Sequence, residues 1–328
     1  MHLFILGSGS FAMALAWQFA QRGADVTMWC RREERRDEIA AGRHSLLPGA
    51  RVPTQVQPVC GVDGLAAMRP PTVAISAVPV QKLREVLRLC SSSLPRSCPW
   101  VSVSKGIEIG TLQRPSEILR EHGLGAEVAV LSGPSHAEEV VRAVPTAVSL
   151  GHTNAALGRK LQELLSGDTF RVYYNSDPVG VEWAGALKNV IALAAGIAVG
   201  CGFGDNSLAA LITRGSVEIA RLGTALGGRR ETFGGLAGIG DLIGTCFSSH
   251  SRNRSVGLRV GRGEAPATVL ASMVQVAEGV PTSKAVFELS QAHGLELPIS
   301  EVVYRIVHLG QDVREGIQNL LTRSLKSE

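Results

Sequence analysis

The chain has 328 residues, more than one hydrophobic core usually serves, so two domains are expected. Hydrophobic residues make up 45% of it and charged residues 19%, a balance that excludes extended disorder. Lys and Arg total 33 against 29 Asp and Glu, and the resulting +4 is spread along the chain, which argues against nucleic-acid or membrane-surface binding and suits small anionic ligands.

Short β-branched or apolar runs alternate with longer helical patterns up to about residue 175. That alternation predicts βαβ units and a mostly parallel sheet. The predicted strands are His2–Leu6, Asp25–Cys30, Val56–Val59, Thr72–Val78, Trp100–Ser104, Val128–Leu131, Thr146–Leu150 and Phe170–Tyr174. Helices are predicted over Ser10–Arg22, Arg32–Ala41, Val80–Leu89, Pro115–Glu121, Ser135–Arg142 and Thr153–Leu165, with His44 to Pro53 as a loop. Beyond Asn175 the strand signals stop and the rest reads as helices broken by glycines. Asp177-Pro178 is a good helix start, so residues 1–176 form the expected α/β domain and residues 177–328 an all-helical one.

Gly7-Ser8-Gly9-Ser10-Phe11-Ala12 follows the first strand and opens a helix, the context in which G-x-G-x-x-G/A binds a dinucleotide. Gly7 permits the tight turn, Gly9 lets the backbone approach a pyrophosphate, and Ala12 lets the helix pack on the strand. The second strand ends in Arg31-Arg32 rather than an acid. Two guanidinium groups there favour a 2′-phosphate, hence NADP(H), with NAD(H) use left open by Glu33 and Glu34; both arginines also fit a solvated helix start.

Lys105 stands at the carboxyl end of a predicted parallel strand, the ligand edge of such sheets. Gly133-Pro134-Ser135 follows the next strand and can face the same crevice or form a plain turn. Lys188 lies in an apolar helix with Ala184, Gly185, Ile191 and Ala192 at its i±3 and i±4 positions, none of them an acid. Such a lysine snorkels, finds a tertiary partner, or has a depressed pKa suited to proton transfer. Gly240-Asp241 and Ser251-Arg252-Asn253 frame a stretch of small polar residues. Asp241 can hold a lysine, and the hydroxyl, guanidinium and amide offer donors to a phosphate, although Ser251 also reads as an N-cap.

The sequence is similar to the bacterial NAD(P)-dependent glycerol-3-phosphate dehydrogenase family from Gly7 to about Ile306. The resemblance is carried by Leu131-Ser132-Gly133-Pro134-Ser135, the run from Glu182 to Val190, the stretch from Ala237 through Thr245-Cys246 to Asn253, and Glu278-Gly279-Val280-Pro281-Thr282. It implies a Rossmann domain, an all-α domain, reversible reduction of dihydroxyacetone phosphate to sn-glycerol 3-phosphate for phospholipid supply, and a homodimer. It also implies that Lys188 donates and accepts the proton, and that Lys105, Gly133, Ser135, Asp241, Ser251, Arg252 and Asn253 contact substrate. Ser10, Phe11, Arg31, Arg32, Lys105, Ala137, Arg252, Val276 and Glu278 are implied at the dinucleotide. The chain departs from the family where Trp-Gly is common and it has Phe11-Ala12, where Phe is common and it has His136, and where Tyr is common and it has Leu46. Competing readings are a ketopantoate or β-hydroxyacid type of reductase, which the Ser-Arg-Asn segment disfavours, and an NADPH sensor without turnover.

The six cysteines form no C-x-x-C pair, and no His/Cys/Asp/Glu cluster offers a metal a home. The uncharged start lacks a basic segment and is broken by Gly7 to Ser10, unlike a secretory signal. Asn189 to Gly204 is shorter than the ~20 apolar residues of a membrane span, so a soluble cytoplasmic protein is expected, with that stretch as either core or dimer seam.

Overall fold

The computed structural model describes residues 1–125 and 127–322, so the expected helical domain is described as far as residue 322. The chain forms two compact units, Met1–Lys105 with Gln113–Glu182, and Gly106–Leu112 with Trp183–Glu328. The second unit therefore includes a seven-residue segment from the middle of the α/β region, and the chain passes into it at Trp183, inside a helix.

The first unit is built on an eight-stranded sheet. Its strands are β1 (His2–Leu6), β2 (Asp25–Cys30), β3 (Val56–Cys60), β4 (Val73–Ser76), β5 (Trp100–Ser102), β6 (Ala129–Ser132), β7 (Thr146–Gly151) and β8 (Phe170–Asn175). Their spatial order is β3-β2-β1-β4-β5-β6-β7-β8. Neighbours are parallel except for β6 and β7. The first six follow the doubly wound dinucleotide-binding order, whose direction reverses between β1 and β4. Strand β1 is buried on both faces, as a central parallel strand must be. Leu3 and Ile5 join one core layer, and Phe4 and Leu6 join the other.

Helices α1 (Ser10–Ala20), α2 (Glu33–Ala40), α3 (Gly61–Ala66), α4 (Val80–Cys90), α5 (Pro115–Glu121), α6 (Ala137–Val140) and α7 (Ala155–Leu165) connect these strands. Helix α3 has no periodic signal because Gly61 and Gly64 depress helix propensity; Trp29 Nε1 donates to the Gly61 carbonyl at 3.2 Å and holds its start. Helix α6 is shorter than Ser135–Arg142, since Pro134 precedes it and Ala143 has φ +56°.

The next helix, α8 (Pro178–Gly200), passes from the first unit into the second, which continues with α9 (Asp205–Ala225), α10 (Arg230–Phe233), a π-turn (Leu236–Gly240), α11 (Asp241–Phe247), α12 (Arg252–Gly261), α13 (Pro266–Ala271), α14 (Gly279–Ala292), α15 (Pro298–Leu309) and α16 (Val313–Leu321). The uncharged stretch from Asn189 is part of a helix of 23 residues, which by length and a mean hydropathy of 1.5 is apolar enough to cross a membrane. Residues 191–198 are nonetheless buried within the chain itself, so the core reading of this stretch holds.

Helices α8 and α12 meet through glycines. A Cβ on Gly257 would lie 2.1 Å from the Leu193 carbonyl oxygen, and one on Gly196 would lie 2.1 Å from the Arg254 carbonyl oxygen. Gly200 and Gly261 continue the seam one turn on, with equivalent distances of 2.4 Å to Leu258 O and 2.3 Å to Ile197 O. Small residues four apart on both helices bring the backbones together where any side chain would hold them apart.

Two buried glutamates bind helix starts. Glu182 accepts from Ser116 N at 2.8 Å, Ser116 Oγ at 2.6 Å and Arg114 Nη1 at 2.9 Å, at the start of α5. Glu218 accepts from Ile299 N at 2.7 Å, Ser300 N at 3.0 Å and Ser300 Oγ at 2.8 Å, at the start of α15. Each carboxylate satisfies orphan N–H groups at the positive end of a helix. Burial raises both pKa values despite these bonds.

Candidate active site

In the first unit the loop after β1 has the features required for a phosphate cradle. Gly7 has φ +119°, and a Cβ there would lie 2.8 Å from the Ala77 carbonyl oxygen, so only glycine fits. Gly9 is the N-cap of α1, and a Cβ there would meet nothing within 4 Å. Its open side leaves room for a ligand to reach the backbone, while Ser10 and Phe11 begin a helix whose positive N-terminal end favours an anion. Ala12 is buried, as close packing of α1 requires. These residues fit a dinucleotide pyrophosphate.

Arg31 and Arg32 leave the end of β2 and are exposed. Arg31 Nη2 lies 2.6 Å from Glu85 Oε1, an ion pair in which both side chains are about half exposed. Arg32 is the N-cap residue of α2.

Lys105, Gly133 and Ser135 come together at the far side of the β1/β4 reversal. Lys105 Nζ and Ser135 Oγ each donate to the Gly133 carbonyl at 3.0 Å. Gly133 has φ +143°, and a Cβ there would lie 2.9 Å from Val148 Cα. The strand exit is therefore an enforced turn that also carries an ammonium and a hydroxyl. Ala137, the first residue of α6, is buried beside it.

In the second unit Lys188 is only 6% exposed and has a tertiary partner. Its Nζ donates to Asp241 Oδ1 at 2.7 Å and to Thr245 Oγ1 at 2.5 Å. Asp241 and Thr245 are one turn apart on α11, and Thr245 Oγ1 lies 3.3 Å from Asp241 Oδ1, so one face of a short helix supplies both acceptors. The π-turn before α11 forces close backbone packing, since a Cβ on Gly238 would lie 2.0 Å from the Phe233 carbonyl oxygen. Burial pushes the neighbouring Cys246 thiol up to about 12, which removes it as a nucleophile at neutral pH.

Ser251 is the N-cap of α12, its Oγ accepting from Arg254 N at 3.2 Å. Arg252 is exposed and donates Nη1 to the Val276 carbonyl at 2.9 Å, which brings two of the residues expected at the dinucleotide together. Asn253 is buried; its Nδ2 donates to Asn189 Oδ1 at 2.9 Å and its Oδ1 accepts from Gly279 N at 2.9 Å. An amide Nδ2 has two protons, so one N–H of Asn253 remains for a ligand. Glu278 precedes α14, and Gly279 must be glycine because a Cβ would lie 2.5 Å from the Asn189 carbonyl oxygen.

Thr245 and Asn189 belong with this group although sequence reasoning assigned them no role. The signal for Thr245 was its i+4 spacing from Asp241; for Asn189 it was its position beside Lys188. Among the described residues no group of three or more His, Cys, Asp or Glu gathers as a metal site.

The model of the N-terminal part of NAD-dependent glycerol-3-phosphate dehydrogenase matches residues 2–158, and that of its C-terminal part matches residues 177–318. The chain belongs to the NAD-dependent glycerol-3-phosphate dehydrogenase family. A glycerol-3-phosphate dehydrogenase [NAD(P)+] of Geobacillus kaustophilus is 46% identical over 99% of this chain and 95% of the relative. The crystal structure of glycerol-3-phosphate dehydrogenase from Coxiella burnetii, 36% identical, superposes with a TM-score of 0.92 over 98% of this chain and 99% of that one. A ketopantoate reductase from Ralstonia eutropha shares the fold alone, at 14% identity and a TM-score of 0.61. Family membership makes the chain an oxidoreductase and does not favour the ketopantoate-type alternative.

Proposed function

We infer that the chain catalyses the reversible NAD(P)H-dependent reduction of dihydroxyacetone phosphate to sn-glycerol 3-phosphate. The observation that carries this reading is the buried Lys188 ammonium held by Asp241 and Thr245, within motifs shared with the family. Reduction of a ketone builds negative charge on its oxygen, and an ammonium beside it stabilises that charge and then transfers a proton from Nζ. General acid catalysis of this kind contributes about 10²–10⁴-fold. Asp241 keeps Lys188 charged and aimed, and Thr245 fixes a second Nζ–H direction. Arg252 and the remaining Asn253 N–H hold the substrate phosphate, with Ser251, Lys105, Gly133 and Ser135 as further contacts, so that remote binding energy orients the carbonyl.

The bound nicotinamide dinucleotide supplies the hydride. The loop from Gly7 to Phe11 holds its pyrophosphate, and Ala137, Val276 and Glu278 line its other contacts. Arg31 and Arg32 favour the 2′-phosphate of NADP(H), for which the phosphate competes with Glu85 for Arg31; NAD(H) is the second coenzyme. The α/β segment of residues 1–176 binds the dinucleotide and the helical segment from 177 carries the proton donor. The product's phosphate ester suits supply of the glycerol backbone of phospholipids by a cytoplasmic homodimer.

The test is loss of absorbance at 340 nm with dihydroxyacetone phosphate and NADPH or NADH, for wild type and Lys188→Ala. Turnover by wild type with a loss of 10²-fold or more in kcat in the variant supports the reaction and the proton donor. NADPH binding without turnover of any carbonyl substrate would instead mark a sensor.

A further inference from the structure

Loop residues 41–55 connect α2 to β3 and bring His44 against the glycine-rich turn. His44 is 3% exposed, and its Nε2 lies 3.2 Å from the Ser8 carbonyl oxygen. A carbonyl can only accept, so Nε2 carries the proton, and Nδ1 holds a lone pair with no partner among the described residues. Burial lowers the pKa of this ring, with Arg35 acting in the same direction and Glu38 against it, so the neutral donor is the form present at pH 7.

The loop is latched to α2. Glu38 accepts from the Ser45 N–H and Ser45 Oγ, and Arg35 Nη1 donates to Glu38 Oε2 at 2.6 Å and to Ser45 Oγ at 3.0 Å. On its other side the Ser8 side chain lies against the Cys30 thiol. The Ser8 residue, between a glycine that is sterically obligatory and a glycine that is open, is thus gripped from the loop after α2 and from the end of β2. Because the Ser8–Gly9 peptide is planar, fixing the Ser8 carbonyl also fixes the direction of the Gly9 N–H.

We propose that His44 is a positioning residue for the dinucleotide loop: its Nε2–H bond to Ser8 presets the Gly9 N–H for the pyrophosphate, and the Arg35–Glu38–Ser45 latch holds the imidazole in place. The proposal rests on the dinucleotide reading given above but not on the identity of the carbonyl substrate. His44 touches no reacting atom, so its loss weakens dinucleotide binding and leaves chemistry at saturation intact.

The experiment measures the equilibrium Kd for NADPH by nicotinamide fluorescence, together with KM and kcat and the melting temperature without dinucleotide, for His44→Leu, His44→Gln and Glu38→Ala. Gln places an amide N–H where Nε2 stands. His44→Leu is expected to raise Kd and KM for NADPH by about 3- to 10-fold, the effect of one neutral hydrogen bond, with kcat at saturating NADPH within twofold of wild type. His44→Gln restores most of the affinity, and Glu38→Ala, on the surface of α2, shows a smaller loss in the same direction even if His44→Leu folds poorly. Unchanged NADPH affinity in a folded His44→Leu, failure of Gln to rescue, or a fall in kcat equal to the loss of affinity would overturn the proposal. Failure of the proposed reaction shows itself separately, as wild type that binds NADPH without reducing dihydroxyacetone phosphate, and the comparison of Kd values still decides the role of His44.

Discussion

Asp241→Asn tests the central pairing of the site, because it keeps the shape and one acceptor oxygen while removing the charge beside Lys188. At the 2.7 Å separation of Nζ and Oδ1, an effective dielectric of about 20 gives roughly 6 kcal/mol of attraction. Desolvation of two groups that are 6% and 3% exposed offsets part of that, and removing one partner of a buried pair typically costs about 3–5 kcal/mol. The cost falls on the charged form of Lys188, since a neutral amine needs no counter-ion. A penalty of about 3 kcal/mol against the ammonium lowers the proton affinity of Nζ by about 10²-fold, so the reductive reaction loses its acid at a lower pH than in wild type. The assay is kcat for ketone reduction between pH 6 and 9, with a thermal melt to confirm folding. The expected result is a pH profile whose alkaline fall in kcat is displaced about two units toward lower pH, so that the loss relative to wild type grows toward pH 9 and shrinks toward pH 6, where mass action returns the proton. A folded variant with kcat within threefold of wild type and an unshifted pH profile would refute the reasoning, since it would show that Thr245 and the surrounding dipoles hold the ammonium without a carboxylate.

Arg31→Ala combined with Arg32→Ala is expected to lower the preference for NADPH over NADH by tenfold or more in kcat/KM, as loss of charge-assisted bonds to a 2′-phosphate would; an unchanged ratio would sink the 2′-phosphate assignment. Gly257→Ala forces α8 and α12 apart by about 1 Å, a strain of about 1–3 kcal/mol set against about 1 kcal/mol of helix propensity gained. Its melting temperature should fall by a few degrees, whereas Gly204→Ala, where a Cβ meets nothing within 4 Å, should not move it; equal melts for the two would contradict the seam. The buried His2 ring, bonded to Thr27 Oγ1 at 2.9 Å, has its pKa lowered mainly by burial, so its contribution to stability is complete above about pH 6.5 and is lost as the pH falls below that value and the unfolded chain takes up the proton. Denaturant titrations at pH 7.5 and 5.5 should show a larger acid loss in wild type than in His2→Gln, and identical losses would count against a buried neutral ring.

Strands β1 and β2 were readable to the residue because Leu3–Leu6 and Val26–Cys30 are apolar but for Thr27, and each run stops at a change of residue type, Gly7 or Arg31. Strand β4 is shorter than Thr72–Val78 because its ladder extends only over Val73–Ser76 toward β1 and Ala74–Ser76 toward β5, a property of the neighbours rather than of the segment. Helix α3 was invisible because tertiary contact overrides two glycines. In the site, the oddity of Lys188 was legible as a charge without a local acid, but its partner is 53 residues away, and no periodicity links α8 to α11. The two readings of Ser251 are compatible: it is the N-cap of α12, and a cap at a helix start lies where an anion is also favoured. Asn253 was read only as a ligand donor, whereas most of its amide is spent joining α8, α12 and α14.

That joining explains why glycine is so frequent in the second unit. Lys188 and Asn189 lie on α8, while Arg252 and Asn253 open α12, so their relative placement depends on how closely the two helices cross. Gly196 and Gly257 bring the backbones to the limit of contact two turns beyond Asn189, and Gly279 lets the first turn of α14 close over the Asn189 carbonyl. A hydrogen bond of 2.9 Å tolerates a shift of a few tenths of an ångström before it weakens, whereas a methyl group in the seam demands about 1 Å. The bond from Asn253 to Asn189 is therefore the first to break when the seam is widened, and the Lys188–Asp241 pair, which spans α8 and α11 instead, is left intact. Substitutions at the seam should accordingly raise KM for the phosphorylated substrate before they reduce kcat, a separation that a general loss of folding would not produce.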